Sequence, residues 1–409
     1  MTSNRMFTFA PLLAAVLLAL PATGRGAEEA TVAAAGELAR KGLITDTHID
    51  VPYRLHENWA DVTRATEDGD FDYERARAGG LDIPFMSIYT PAESEAEGTS
   101  YDIANRLIDS VEALVGRAPD RFVIVRNPDE AEQAFRGGKI GLAMGMENGS
   151  PIAGRLENVA FFKQRGISYI TMAHSLSNHL SDSSYDEERK WNGLSPFGKE
   201  VLAEMNRRGV MVDVSHLSDD AFWQVIELSK VPVIASHSSA RHFTPGFERN
   251  MSDAMIKALA ANGGVIMINF GSSFLTEPAS QWFDDMDAAR SAWLEEHGYD
   301  EHSPERSKFN QRYREENPFP YAGMDDLMAH FTHVIELVGI DYVGIGSDFD
   351  GVGDSLPEGM KDVSFYPNLV KRFLELEYPV ADIEKVLGGN LLRVWQANLD
   401  YAERAAQGG

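Results

Sequence analysis

LITDTHIDVP, residues 43–52, has the apolar and β-branched make-up of a buried β-strand, yet it carries Asp46, His48 and Asp50. Side chains alternate across a strand, so regular pleating places these three on one face. Buried charges are costly unless they are paired or bind a metal. A core strand with this composition therefore points to a site at its C-terminal end.

Similar strands recur along the chain. Runs at 43–50, 81–89, 139–147, 167–173, 209–215, 231–237, 263–270 and 342–348 read as strands, and RFVIVRN at 121–127 as an extra one outside the main sheet. Stretches such as SPFGKEVLAEMNRRG and SDDAFWQVIELSK between them have helical spacing of apolar residues and end in Gly or Lys. Strand–helix alternation signals a parallel sheet. Eight units favour an α/β fold of the (β/α)8 TIM-barrel type, with a doubly wound sheet as the alternative. An Ala/Glu-rich lead at 28–40 reads as helix. The stretch 271–323, rich in Trp, Phe, Tyr, Glu and Arg, reads as a helical insertion after the seventh strand, covering the site or forming an oligomer contact. No low-complexity linker divides the chain, so residues 25–409 are expected to form a single catalytic domain.

The 409 residues, 44% hydrophobic, suffice for a large core, and a formal charge of −26 argues against nucleic acid and anionic membrane surfaces as partners. Residues 1–24 read as a secretory signal peptide, with Arg5, the apolar run APLLAAVLLAL and the small-residue stretch PATG. Cleavage is expected after Gly24 or Ala27. The apolar run is shorter than the roughly 18–20 residues that span a bilayer. There is no cysteine to form a disulfide or carry a lipid. The expectation is an exported, periplasmic protein without a membrane anchor, as monomer or homodimer.

The ionisable residues ending the strand candidates are His48 and Asp50 (first), Glu147 (third), His174 (fourth), His216 (fifth), His237 (sixth) and Asp348 (eighth). Barrel enzymes build their sites at this end. Imidazoles with carboxylates and no thiolate suit Zn2+, with Mn2+ or Co2+ as lesser options. The donors exceed the needs of one catalytic zinc with an open position. A carboxylate such as Glu147 would bridge two ions, which acidify a shared water and clamp a tetrahedral intermediate. Asp46, one step deeper, is expected to hold a ligand by hydrogen bond.

DTHIDVP, MENG, TMAHS, GLSPFGKEVLAEMNRRGVMVDVSH, VIASHSSAR, Arg249-Asn250, GIGSDFDG and NLLRVW, in this order between residues 43 and 398, resemble the membrane (renal-type) dipeptidases, peptidase family M19. The resemblance implies a (β/α)8 barrel with two Zn2+ that cleaves dipeptides and tolerates a D-residue at the C-terminal position. It implies that His48 and Asp50 bind one ion, that His216 and His237 bind the other, and that Glu147 bridges them. It makes His174 a substrate contact, Asp348 the proton-handling group and Arg249 the substrate-binding arginine. The stretch HSSARHFTPGFERN is one residue longer than the family pattern, which leaves Arg241 as a rival to Arg249.

Another binuclear barrel hydrolase, acting on a lactone, cyclic amide or phosphoester, is the alternative enzyme. Such relatives often bridge their metals with a carboxylated lysine, and ISYITMAHS has none. A non-catalytic binding protein would be expected to lack a ligand or Asp348, and none is missing. Other motifs carry less. DFDGVGDSLPEG resembles a calcium loop but has Val352 and Gly359 at ligand positions. His330 and His333, i and i+3 on the helix MDDLMAHFTHVIELVG, have a spacing that could hold a metal, but ordinary helix-face packing is the favoured reading. No third glycine completes a dinucleotide fingerprint at GIGSDF, and no Gly-x-Ser-x-Gly elbow is present.

Overall fold

A computed structural model of the chain describes residues 25–300 and 303–408. The expected export signal lies outside the described residues. Among the described residues nine strands follow in order: β1 (Ile44–Ile49), β2 (Leu81–Tyr89), β3 (Phe122–Ile124), β4 (Ile140–Glu147), β5 (Ile167–Thr171), β6 (Met211–Asp213), β7 (Ile234–Ala235), β8 (Val265–Ile268) and β9 (Val343–Ile345). Eight of them pair in parallel in the sequence β1-β2-β4-β5-β6-β7-β8-β9, while β3 pairs with the start of β4 off this path. At their C-terminal ends β9 returns to β1. Asp50 N donates to Phe349 O at 2.9 Å and Asp348 N to His48 O at 3.0 Å. The sheet is thus a nearly closed barrel ringed by helices, the (β/α)8 architecture expected.

Alternation along the strands divides the core in two. On β4, Ile140, Leu142, Met144 and Met146 face the helices, while Ala143 belongs to a cluster with Phe85, Tyr169, Met211 and Met267 from other strands. Trp395 of the C-terminal helix Asn390–Gly408 joins this cluster and packs on Phe85. Gly145 lies in the inward series, where a Cβ would overlap the Tyr169 ring. The missing side chain lets that ring lie against β4. Glu147 ends the same inward series.

β6 and β7 are shorter than the apolar runs that encode them, for a reason that also shapes the mouth. Asp213, buried at the end of β6, accepts the backbone N–H groups of Ser215 (3.1 Å) and Ser236 (2.8 Å). A carboxylate thus takes bonds that would otherwise extend the ladder. Asp46 does the same between β1 and β9, accepting from His48 N (3.1 Å) and Ser347 N (3.0 Å).

The lead forms the helix Arg25–Lys41. After β8 the insertion consists of the helices Ser272–Leu275, Glu277–His297 and Glu305–Glu316, with a small core of Ala279, Trp282, Met286 and Phe319. Among the described residues no helix is long and apolar enough to cross a membrane.

Candidate metal centre

Each donor is delivered where a strand stops. His48 is the penultimate residue of β1, Asp50 occupies the N-cap of the helix Val51–Glu57, and Glu147 is the last residue of β4. His174, His216, His237 and Asp348 stand in the turns just after β5, β6, β7 and β9. His216 and Asp348 have φ of 67° and 66°, in the left-handed region. A non-glycine residue pays about 1–2 kcal/mol there.

Glu147 lies at the centre. Its Oε2 is 3.3 Å from His48 Nε2, which is 3.5 Å from Asp50 Oδ2. Its Oε1 is 3.1 Å from His216 Nε2, 3.3 Å from His237 Nε2 and 3.4 Å from His174 Nε2. The two oxygens of one carboxylate therefore have different nearest imidazoles, although the His48 and His237 rings stack with centroids 3.7 Å apart. Asp348 gathers with His48 and Asp50 on the Oε2 side. A Cβ at Gly351 would collide with both Asp50 and Asp348, so glycine there permits the two carboxylates to approach.

The protein also decides which nitrogen each ring presents. Tyr169 gives its phenolic hydrogen to Thr47 O (2.9 Å), so its oxygen accepts from His48 Nδ1 (2.8 Å). Ser236 gives its hydroxyl hydrogen to Asp213 Oδ2 (2.6 Å), so its oxygen accepts from His237 Nδ1 (2.7 Å). In the neutral form of either ring the lone pair is left on Nε2, on the side of Glu147. His48 Nε2 is buried with no hydrogen-bond partner, the orphaned acceptor that a cation would satisfy. The His216 and His237 Nε2 atoms are 2.8 Å apart. Burial, then the charge of Arg249 and neighbouring imidazoles, holds the pKa of both well below the ordinary value and keeps them available as ligands. Burial alone would raise the Glu147 pKa, but its imidazole neighbours His48 and His174 and the hydrogen bonds of His216 and His237 bring it well below the usual range.

Ser236→Ala should weaken metal binding by about 10–100-fold, the usual effect of losing such an outer partner. Chelator competition on the folded variant measures this. An unchanged affinity would show that the Asp213–Ser236 relay does not orient His237.

The substrate side is built from the same loops. Asp348 Oδ2 accepts from Asn269 Nδ2 at 2.7 Å, and burial pushes the Asp348 carboxyl up to about 8. Burial lowers the His174 pKa, and its Nδ1 has no partner. Arg249 is fixed by bonds to Ser238 Oγ and His237 O, both 2.8 Å, leaving its buried Nε unpaired. Its guanidinium lies 5.3 Å from the Phe274 ring at the start of the insertion. Arg241, the rival, points elsewhere and donates two hydrogen bonds to the Asp219 carboxylate at 2.8 and 2.6 Å.

The pattern described as membrane dipeptidase (Peptidase family M19) matches residues 32–408. The chain belongs to this family. As an M19 member it is a metal-dependent peptide hydrolase. It is 30% identical over 382 residues to an uncharacterized dipeptidase of Schizosaccharomyces pombe, covering 88% of this chain and 81% of that protein. The probable dipeptidase PvdM from Pseudomonas aeruginosa superposes with a TM-score of 0.80 at 26% identity, covering 91% of this chain and 100% of that one. A metallo peptidase from Rhodobacter sphaeroides, solved with a phosphinate mimic of the dipeptide L-Ala-D-Ala, has a TM-score of 0.71 at 23% identity, over 87% and 99% of the two chains.

In this M19 member the expected site residues all converge on the barrel mouth, while Asp46 differs from strict alternation. The β1–β2 register shifts between Asp46 and Ile49, so His48 turns inward to Tyr169 while Asp46 Oδ2 accepts from Tyr366 of the surrounding helix Tyr366–Glu375 at 2.5 Å. Asp46 thus supports His48 through the backbone N–H alone. Sequence reading did not single out Asp213, Ser236, Tyr169 or Asn269. Asn269 was detectable, as the polar residue following the apolar strand VIMI. His330 is an ordinary packing residue, accepting from Ala240 N (3.0 Å) and donating to Leu275 O (2.9 Å).

Proposed function

We propose that this protein hydrolyses the peptide bond of dipeptides, with two Zn2+ held by His48, Asp50, Glu147, His216 and His237. The observation that carries the reading is the division of Glu147, its two oxygens nearest to different imidazoles, as a carboxylate shared by two cations requires. Imidazole and carboxylate donors without thiolate favour zinc. When bound, the ions acidify a water and polarise the scissile carbonyl.

The remaining steps belong to the protein. Asp348, oriented by Asn269, takes a proton from the attacking water and passes it to the leaving amine. His174, neutral through burial, donates a hydrogen bond to the carbonyl oxygen as it gains charge. Arg249, with its geometry fixed and Nε unpaired, receives the C-terminal carboxylate. The carboxylate and the ions, rather than the second side chain, then fix the substrate, so a D-residue is accepted at that position. With an export signal at 1–24, the protein works in the periplasm as one catalytic domain, and cell fractionation tests that location.

Comparing L-Ala-L-Ala and L-Ala-D-Ala with their C-terminal amides tests the reading. Both free dipeptides should be cleaved and both amides nearly untouched. Arg249→Ala should weaken dipeptide kcat/KM by about 1.5–3 kcal/mol, the worth of a hydrogen bond to a charged group. Equal rates on free and amidated substrates would remove the carboxylate clamp. In the same assay His174→Ala should keep its metal and lose most turnover, whereas metal loss would make His174 a ligand.

A further inference from the structure

Away from the barrel mouth, a second set of metal-type donors converges. His242 stands in the short turn Arg241–Phe243 after β7, Asp253 opens the helix Asp253–Ala261, and His333 lies in the helix Met324–Val338. One ligand atom from each lies within 4.8 Å of the others. His333 Nε2 is 2.8 Å from Asp253 Oδ1, and the His242 ring stacks on His333 with centroids 4.5 Å apart and planes at 22°. The ring contacts of His242 are aromatic, with His333 and Phe243, and its side is exposed to solvent.

The convergence does not depend on the three donors. Ala240 N is held by His330 at 3.0 Å and Arg241 N by Met251 O at 2.8 Å, which fixes the backbone leading into His242. The Arg241 side chain is anchored on Asp219. Ser252 caps the helix that Asp253 begins, through Met255 N at 3.3 Å. Three elements, two of them tied together by the bond from Ala240 N to His330 of the helix that carries His333, therefore present two imidazoles and a carboxylate to one point. An ion pair between His333 and Asp253 would need only two of them.

We propose that His242, Asp253 and His333 form a binding site for a divalent transition-metal cation of the class that takes imidazole with carboxylate, such as Zn2+, Ni2+ or Cu2+. The site is separate from the barrel mouth: His237 faces inward to stack on His48, whereas His242 packs outward on His333. A cation there ties the loop that carries His237 and Arg249 to the helix Met324–Val338.

The test is equilibrium dialysis of the full-length, Zn2+-loaded protein against increasing Zn2+, with wild type, His242→Ala and His333→Ala in parallel. Wild type should take up one ion per chain more than either variant. Any residual binding at this site in the variants should be at least about tenfold weaker, since losing a ligand exceeds the about 10–100-fold effect of losing an outer partner. Dipeptide hydrolysis at low free Zn2+ should be the same in all three. Because the readout is a difference between proteins, it stands whatever number of ions the barrel mouth holds. Equal uptake and affinity in wild type and both variants would overturn the proposal, as would the absence of extra uptake by wild type at millimolar Zn2+.

Discussion

Glu147→Gln is expected to lose both ions and activity together. The amide keeps the shape but presents one oxygen and one N–H2 donor where two acceptors face His48 on one side and His216 and His237 on the other. It also removes the charge at the centre of the cluster. Lewis-acid assistance is worth several kcal/mol, so kcat/KM should fall by about 10³-fold or more. Elemental analysis should find close to two ions per chain in wild type and far fewer in the variant. A variant with two ions and a near-normal rate would end the shared-carboxylate reading. A pH dependence follows from His48. Burial pushes its pKa down, but Tyr169, Glu147 and Asp50 more than offset this and hold it well above the ordinary value. A cation must displace that proton, so metal affinity should fall as the pH is lowered.

Asp348→Asn is expected to keep the metal and lose the chemistry. General acid–base groups contribute about 10²–10⁴-fold, and kcat should fall by that order with two ions still bound. The pH profile separates this from mere distortion. A base works deprotonated, so wild-type activity should decline as the pH falls through the pKa of Asp348. Burial lifts that carboxyl toward about 8, and the proposed ions would draw it lower, which would place the limb below that value. Asparagine cannot titrate, and its residual activity should lack the limb. A near-normal kcat in Asp348→Asn would mean that another group carries the proton.

Most of this arrangement was legible because barrel chemistry is written at strand ends. His48, Glu147, His216 and His237 stand out as ionisable residues terminating apolar runs. The supporting groups do not. Ser236 and Tyr169 act through the hydrogen they give away, to Asp213 and to Thr47, and the recipients lie on other strands or loops of the fold. Asp213 sits in MVDVSH near a more conspicuous histidine. Asp46 was misplaced because alternation assumes a regular pleat, and β1 shifts register at that point. Arg241 and Arg249 cannot be ranked by type or spacing. They separate only when Asp219 is seen to occupy the first.

The left-handed backbone at His216 and Asp348 sets a limit on improving this enzyme. Glycine at either position would relieve about 1 kcal/mol or more of conformational strain, a gain that a search for thermostable variants would reward. It would also delete a proposed ligand or proton carrier. Selection for heat resistance alone should therefore drift toward hardier, inert barrels. Screens need to demand turnover at each round, and directed stabilisation is better aimed at the outer helices.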